Sequence, residues 1–299
     1  MQLDAMVYQR LISDPGLASL LTTHDGKPAI FYQQAPHSEH KGWAEKQYPR
    51  IDYTINMMED PARNTSGVLT THVWCDATSE AEPETIEIRL RQLLHAVFAH
   101  PDDNPYCIAW VRSDAWRIAN KDETTEETFG ITLTFDLIAF PPQSTTSPDP
   151  VDAINAWTKA LLPEATVIGQ DDFEGWLEPT KDTPVIYWRN VQHSVHQQKH
   201  VMTWLNVTLE GHVFARSAQD RLAVLTQIET AAAMANHITM DDSSPMFIMQ
   251  ITMMQQMNYI RQGQIVARAR YGILQDWYKN PPAGPKLNDI NLSLVARKE

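Results

Sequence analysis

Histidines and carboxylates are the residues of this chain whose spacing could do chemistry. In "HSVHQQKH", His193, His196 and His200 fall at i, i+3 and i+7. On a helix they would share one face, and neutral imidazoles so placed bind divalent transition metals. The segment lies where the other half of the chain has a hairpin loop, so an exposed polar loop is the expected reading. His37 and His40 in "APHSEHKGW" are read the same way. His95 and His100 are five apart, wrong for one helical face, and are expected at a helix end.

Carboxylate pairs recur at Asp102-Asp103, Asp122-Glu123, Glu126-Glu127 and Asp241-Asp242. A general acid needs burial to raise its pKa, and these runs sit among turn residues where water is close. Magnesium would want such oxygens plus a phosphate ligand, yet no glycine-rich phosphate loop exists. H-E-x-x-H, C-x-x-C and G-x-S-x-G are also absent from the sequence. Cys75 and Cys107 are expected as small buried hydrophobes in a reducing compartment. Met246, Met249, Met253, Met254 and Met257 alternate along a strand and are expected mainly to pack the core. No catalytic residue, metal or cofactor is expected, and the chain is not expected to be an enzyme.

The elements that would position any surface come next. The 299 residues are 43% hydrophobic, with a net charge of −13. That charge opposes binding by phosphate neutralisation. It is also uneven: residues 1–150 hold 11 Lys+Arg and 22 Asp+Glu, against 13 and 15 in residues 151–299. No apolar run is long enough to span a membrane, and MQLDAMVYQR does not read as a signal peptide.

"PPQSTTSPDP" (Pro141–Pro150) is the best boundary, because its four prolines cannot continue a helix or donate to a ladder. Each side then reads helix, strand, strand, helix, strand, strand. LDAMVYQRLI is matched by VDAINAWTKALL, where Asp149 is placed as a cap. Tyr48–Met58 matches Thr183–His193, and Ser66–Asp76 matches Val201–Arg216. The return strands share His72-Val73-Trp74 and His212-Val213-Phe214. A helix over Pro83–His100 answers one over Ser217–Asn236. In both halves a third strand follows an Asp-Asp turn and a proline, and a last strand closes the half. The expectation is an α+β chain made by tandem duplication, each copy a mostly antiparallel four-stranded sheet with two helices on it. Domains are expected over 1–143 and 151–280, with a linker at 144–150 and a tail at 281–299.

With no reactive constellation, function is assigned to surfaces. Three loops stand out: Tyr32–Gln47 with Trp43 expected exposed, the acidic "NKDETTEET" with Asp122, Glu123, Glu126 and Glu127, and the tail with Ile290, Leu292 and Leu294. An alternating apolar tail of this kind docks on a sheet edge, a neighbour's or its own.

"YPRIDYTI" after a long loop, the helix "IEIRLRQLLHAVF" and the closing "FGITLTFDLIAF" resemble the tail terminator and neck proteins of tailed bacteriophages, including tail-completion and head-tail joining proteins. "NAWTKALLPEATVIGQ" and "DTPVIYWRNV" are similar in the second half. The resemblance implies a virion protein, assembled in the host cytoplasm, that rings the end of the tail tube. Its implied partners are its own copies, six or alternatively three chains, the tail tube protein, head connector and neck proteins, and the sheath. DNA would pass the lumen without specific binding. Alternatives are a tube or baseplate subunit, a ligand-binding protein or enzyme with a site between the halves, and an acidic DNA mimic.

Overall fold

The description rests on a computed structural model and covers residues 2–44, 46–60, 64–101, 104–118, 127–254 and 258–274. The chain begins with α1 (Leu3–Ile12), which buries Met6, Val7 and Leu11 at helical spacing. A single helical turn, α2 (Pro15–Ala18), follows, capped by the Asp14 carboxylate. Three short strands come next: β1 (Thr23–His24), β2 (Lys27–Pro28) and β3 (Ile30–Tyr32). A long hairpin joins β4 (Arg50–Asp60) to β5 (Asn64–Asp76). Then come α3 (Pro83–Leu94), β6 (Val97–His100), β7 (Tyr106–Ile118) and β8 (Thr128–Ala139).

The second half opens with α4 (Pro150–Leu161). Its cap is Asp149, which accepts from the Val151 and Asp152 amides, with Pro150 at the first position. Next are β9 (Thr166–Ile168), β10 (Gly175–Leu177), and the hairpin of β11 (Val185–Gln198) with β12 (Met202–Phe214). The Ser217 hydroxyl caps α5 (Ala218–Met234) by accepting from the Asp220 amide. β13 (Ile238–Thr239), β14 (Pro245–Met253) and β15 (Ile265–Leu274) complete the described chain.

The larger sheets have seven and six strands, in the orders β10-β6-β7-β8-β5-β4-β3 and β13-β14-β15-β12-β11-β9. Without β10, the two orders are the same connectivity. Each half places a short strand parallel to the first long strand, β3 on β4 and β9 on β11. Each also sends a short strand antiparallel to the third, β6 on β7 and β13 on β14. The expected four strands are therefore the centre of a wider sheet, flanked by short strands that periodicity could not register.

The first core lies between α1, α3 and one face of the seven-stranded sheet, with Val7, Leu90, Val73, Leu133 and Phe135 inside. The second lies between α4, α5 and the six-stranded sheet, with Ile154, Ile228, Trp188 and Leu209 inside. The Trp188 indole donates to Thr158 Oγ1 at 3.0 Å, so this buried tryptophan keeps its polar atom satisfied. A third core joins the halves: Phe98, Cys107, Ile138 and Phe140 pack against Val185, Tyr187 and Phe214. β10, although in the second half, pairs antiparallel with β6 of the first.

Several expectations are corrected. The helix expected over Pro83–His100 stops at Leu94, because Ala96 takes a positive φ of 59° and Val97–His100 leaves as a strand. His95 sits at the helix end, where Nδ1 accepts from the Trp110 amide at 3.1 Å, but His100 belongs to β6. "HSVHQQKH" is no loop: His193 and His196 lie in β11, and strand geometry removes the helical face they would share. The methionines divide, with Met246 fully buried and Met249 58% exposed. Cys75 and Cys107 are both buried, and burial pushes the Cys75 thiol up to about 12.

Candidate assembly surfaces

Each sheet turns one face to its helices and leaves the other face partly open. On the open face of the first sheet the ladder register aligns residues in rows across β4, β5, β8 and β7. One row is Arg50, Trp74, Gly130 and Trp116. The next is Asp52, His72, Thr132 and Asp114. A third is Thr54, Thr70, Thr134 and Arg112.

Gly130 makes the first row work. The rings of Trp74 and Trp116 meet edge to face across it at 4.7 Å. A Cβ there would lie 2.7 Å from the Trp116 ring and collide with the Val73 carbonyl. The Arg50 guanidinium lies over Tyr48 at 4.8 Å, Trp74 at 5.4 Å and Trp43 at 5.8 Å. Arg50 Nε, Asp52 Oδ1 and Trp74 Nε1 are buried with no hydrogen-bond partner among the described residues. Burial pushes the Asp52 carboxyl up to about 6, outweighing the pull of Arg50. His72 is pushed down by burial, and its Nδ1 lies 2.9 Å from Thr132 Oγ1.

The open face of the second sheet has a different charge. Its rows are Gln192, Thr208, Arg268 and Gln250, then Ser194, Asn206, Arg270 and Phe247. Arg270 Nε donates to Asn206 Oδ1 at 3.0 Å, and Arg189 donates to Glu210 at 2.7 Å. The first face thus carries Asp52, Asp114 and Asp136 beside Arg50 and Arg112, and the second carries Arg189, Arg268 and Arg270 beside Glu210. Arg261 ties the two halves by an ion pair to Asp136.

The second kind of surface is the strand edge. β3 covers β4 only at Ile51–Tyr53, and β9 covers β11 only at Val185–Tyr187. Beyond these points, among the described residues, β4 from Thr54 and β11 from Trp188 carry no further strand on that side. Among the described residues, β7 from Ala109 and β14 from Phe247 are likewise open on the opposite edge. Val191 and Val195 on the β11 edge are 45% and 64% exposed. Unpaired backbone of this length is a template for another chain.

The residues singled out from sequence are not brought together. Trp43 is half-buried, not exposed. Its loop folds down through a bridge to His24, its ring meets His24 at 4.8 Å and Phe31 at 5.5 Å, and its Nε1 donates to the His37 carbonyl at 3.1 Å. Glu127 is exposed and pairs with Arg117 at 3.1 Å. Asp122, Glu123, Glu126, Ile290, Leu292 and Leu294 lie outside the described residues. The open-face rows were missed because their members come from four separated strands. Alternation did offer a signal, since residues 70, 72 and 74 share the face opposite Val73.

Among the described residues, no three His, Cys, Asp or Glu side chains group so as to hold a metal ion, and no helix is long and apolar enough to cross a membrane. No family model matches the chain, and no curated protein matches it. Among solved structures the chain is similar to a chain of the virion of native gene transfer agent (GTA) particle, with 20% identity and a TM-score of 0.34, over 46% of this chain and 93% of that one.

Proposed function

We propose that this chain is a structural virion protein of a tailed phage or phage-like particle, a tail terminator or neck protein. Its copies would close into a ring that caps the tail tube and joins it to the head connector. The observation that supports this most is the repeated connectivity, with each copy leaving long strand edges open on both sides among the described residues. A head-to-tail ring needs two different surfaces per unit that fit each other. The β11 and β14 edges would be such a pair, as would the β4 and β7 edges.

The same connectivity supports a tandem duplication. If both copies act as ring units, three chains supply six positions; if one copy is peripheral, six chains are needed. Native mass spectrometry of the assembled ring counts them. The first half, with 22 Asp+Glu against 11 Lys+Arg, is the candidate for the lumen wall, where like charge keeps DNA moving.

Electron microscopy of particles made without this protein tests the assignment. Overlong or headless tails are the expected result. Normal tails joined to heads would overturn it. A tube or baseplate subunit shares the open edges but extends into filaments by itself, whereas a terminator stays a closed ring or a monomer until it meets a tube. Negative-stain images of the purified protein separate these readings.

A further inference from the structure

At the junction of the halves, between the end of α3 and the start of α5, lies a groove of about 1140 Å³. Arg91, Arg216 and Arg221 line it together with His95, Tyr259 and Glu178. Three guanidiniums converging in one groove run against the chain's net charge of −13.

Aromatic rings hold two of them in place. Arg91 lies 3.8 Å over Trp110, and Arg221 lies 3.8 Å over Tyr259. Stacking fixes the position of a guanidinium while leaving its N–H fork free to donate. Arg216 and Arg221 have no carboxylate within ion-pair distance among the described residues, and Arg91 has only Glu87 at 3.5 Å. Glu178 is already held by Arg10 at 2.5 Å. The start of α5 opens on the same groove. Ser217 and Asp220 satisfy each other there, so the arginines carry the positive charge. His95 responds to this field: burial, Arg91 and Arg221 all disfavour its protonated form.

We propose that this groove receives a carboxylate-rich peptide segment, namely the turn between β7 and β8 of a second copy. That turn reads "NKDETTEET" and holds Asp122, Glu123, Glu126 and Glu127. Glu127 pairs with Arg117, at the base of the turn. Planar carboxylates fit the guanidinium fork in pairs of parallel bonds.

The turn of the same copy cannot reach. β7 and β8 stay paired out to Ile118 and Thr128. Ile118 is eight residues beyond Trp110, about 26 Å along the strand. A nine-residue turn anchored at both ends reaches back at most about 15 Å. The contact is therefore between copies, tip of one to groove of the next, which is a head-to-tail relation. This inference rests on the ring reading for its second copy, and it places the acidic turn at a subunit contact, away from the lumen.

A fluorescent peptide of residues 119–128, titrated with the full-length protein at low salt, tests it by anisotropy. The expected result is saturable binding that weakens with added salt. Arg91→Gln with Arg221→Gln should lower the affinity at least tenfold while circular dichroism shows the fold kept; Arg216→Glu, at the exposed rim, is the second variant should that pair misfold. Absence of saturation up to about 1 mM peptide, or variants that bind like wild type, would overturn the proposal. So would equal displacement by inorganic phosphate, which would make the groove a general oxyanion site. Ring formation is read separately: rings that form without peptide binding sink the groove assignment alone, and peptide binding without rings sinks the ring reading alone.

Discussion

Val73 and Val213 occupy the same place in two different sheets. Val73 pairs with Ile51, which pairs in turn with Ile30 of the parallel edge strand. Val213 pairs with Ile186, which pairs with Val167. Both valines point into their helical cores and are fully buried. Their neighbours diverge. Trp74 stays on the open face of the first sheet, half-exposed over Gly130, while Phe214 is buried in the core between the halves. One copy's open surface has become the other copy's seam.

Phe140 should be the most sensitive point of that seam. Its ring meets Phe98, Tyr187, His212 and Phe214 at 5.1–5.6 Å between centroids. Phe140→Ala is expected to cost about 3–5 kcal/mol, transfer and cavity together. Urea denaturation measures it.

Asp52 makes stability depend on pH in an unusual direction. Its carboxyl binds a proton near pH 6 in the fold, against 3.8 as its ordinary value. The native state holds the extra proton between those values, so stability falls as pH rises through that window and is lowest above it. Asp52→Asn should flatten the curve. At pH 7.5 it is expected to stabilise by about 1–3 kcal/mol, and at pH 4 to change little. Thermal melts at both pH values check this.

The Asp149 carboxylate caps α4 and also accepts from the Thr145 amide at 2.7 Å and the Thr145 hydroxyl at 2.9 Å. Asp149→Ala removes all of these and should cost about 2–3 kcal/mol, above the usual cap value. By contrast, Arg10 and Glu178 join the halves at 2.5 Å with Glu178 62% exposed. Solvent screens such a pair, and Glu178→Gln should cost less than about 1 kcal/mol. Both values come from chemical denaturation.

If strand edges join the copies, charge on an edge should separate them. Val191→Lys with Val195→Lys places two ammonium groups on the exposed β11 edge. The monomer is expected to change by less than about 0.5 kcal/mol, while self-association read by sedimentation velocity falls sharply. Unchanged association would remove this edge from the contact.

Local signals were legible where one residue type decides the outcome. Asp149 acts as a cap as its position predicted, and the alternation of Leu133, Phe135 and Leu137 set the buried face of β8. The shared His-Val-aromatic landmark falls at equivalent places in both sheets. Decisions made at long range were not legible. Gly175–Leu177 is too short for periodicity, and its partner strand comes some 75 residues earlier. Phe140 sits beside the prolines of the expected boundary, and only the partner sheet shows why it is buried. Trp43 read as exposed because its neighbours are polar, yet His24 and Phe31 shelter it. The charged rows of the open faces need the ladder register before any of them can be seen.

The placement of β10 has one more consequence. A strand contributed by the later half is stitched into the earlier half's ladder, and Phe140 is clasped by the later half in return. A protease cut among Ser144–Ser147 would therefore leave two fragments that travel together through gel filtration, as a reciprocal embrace with no covalent thread. Fragments expressed apart should each come out sticky and incomplete, and regain solubility only when mixed.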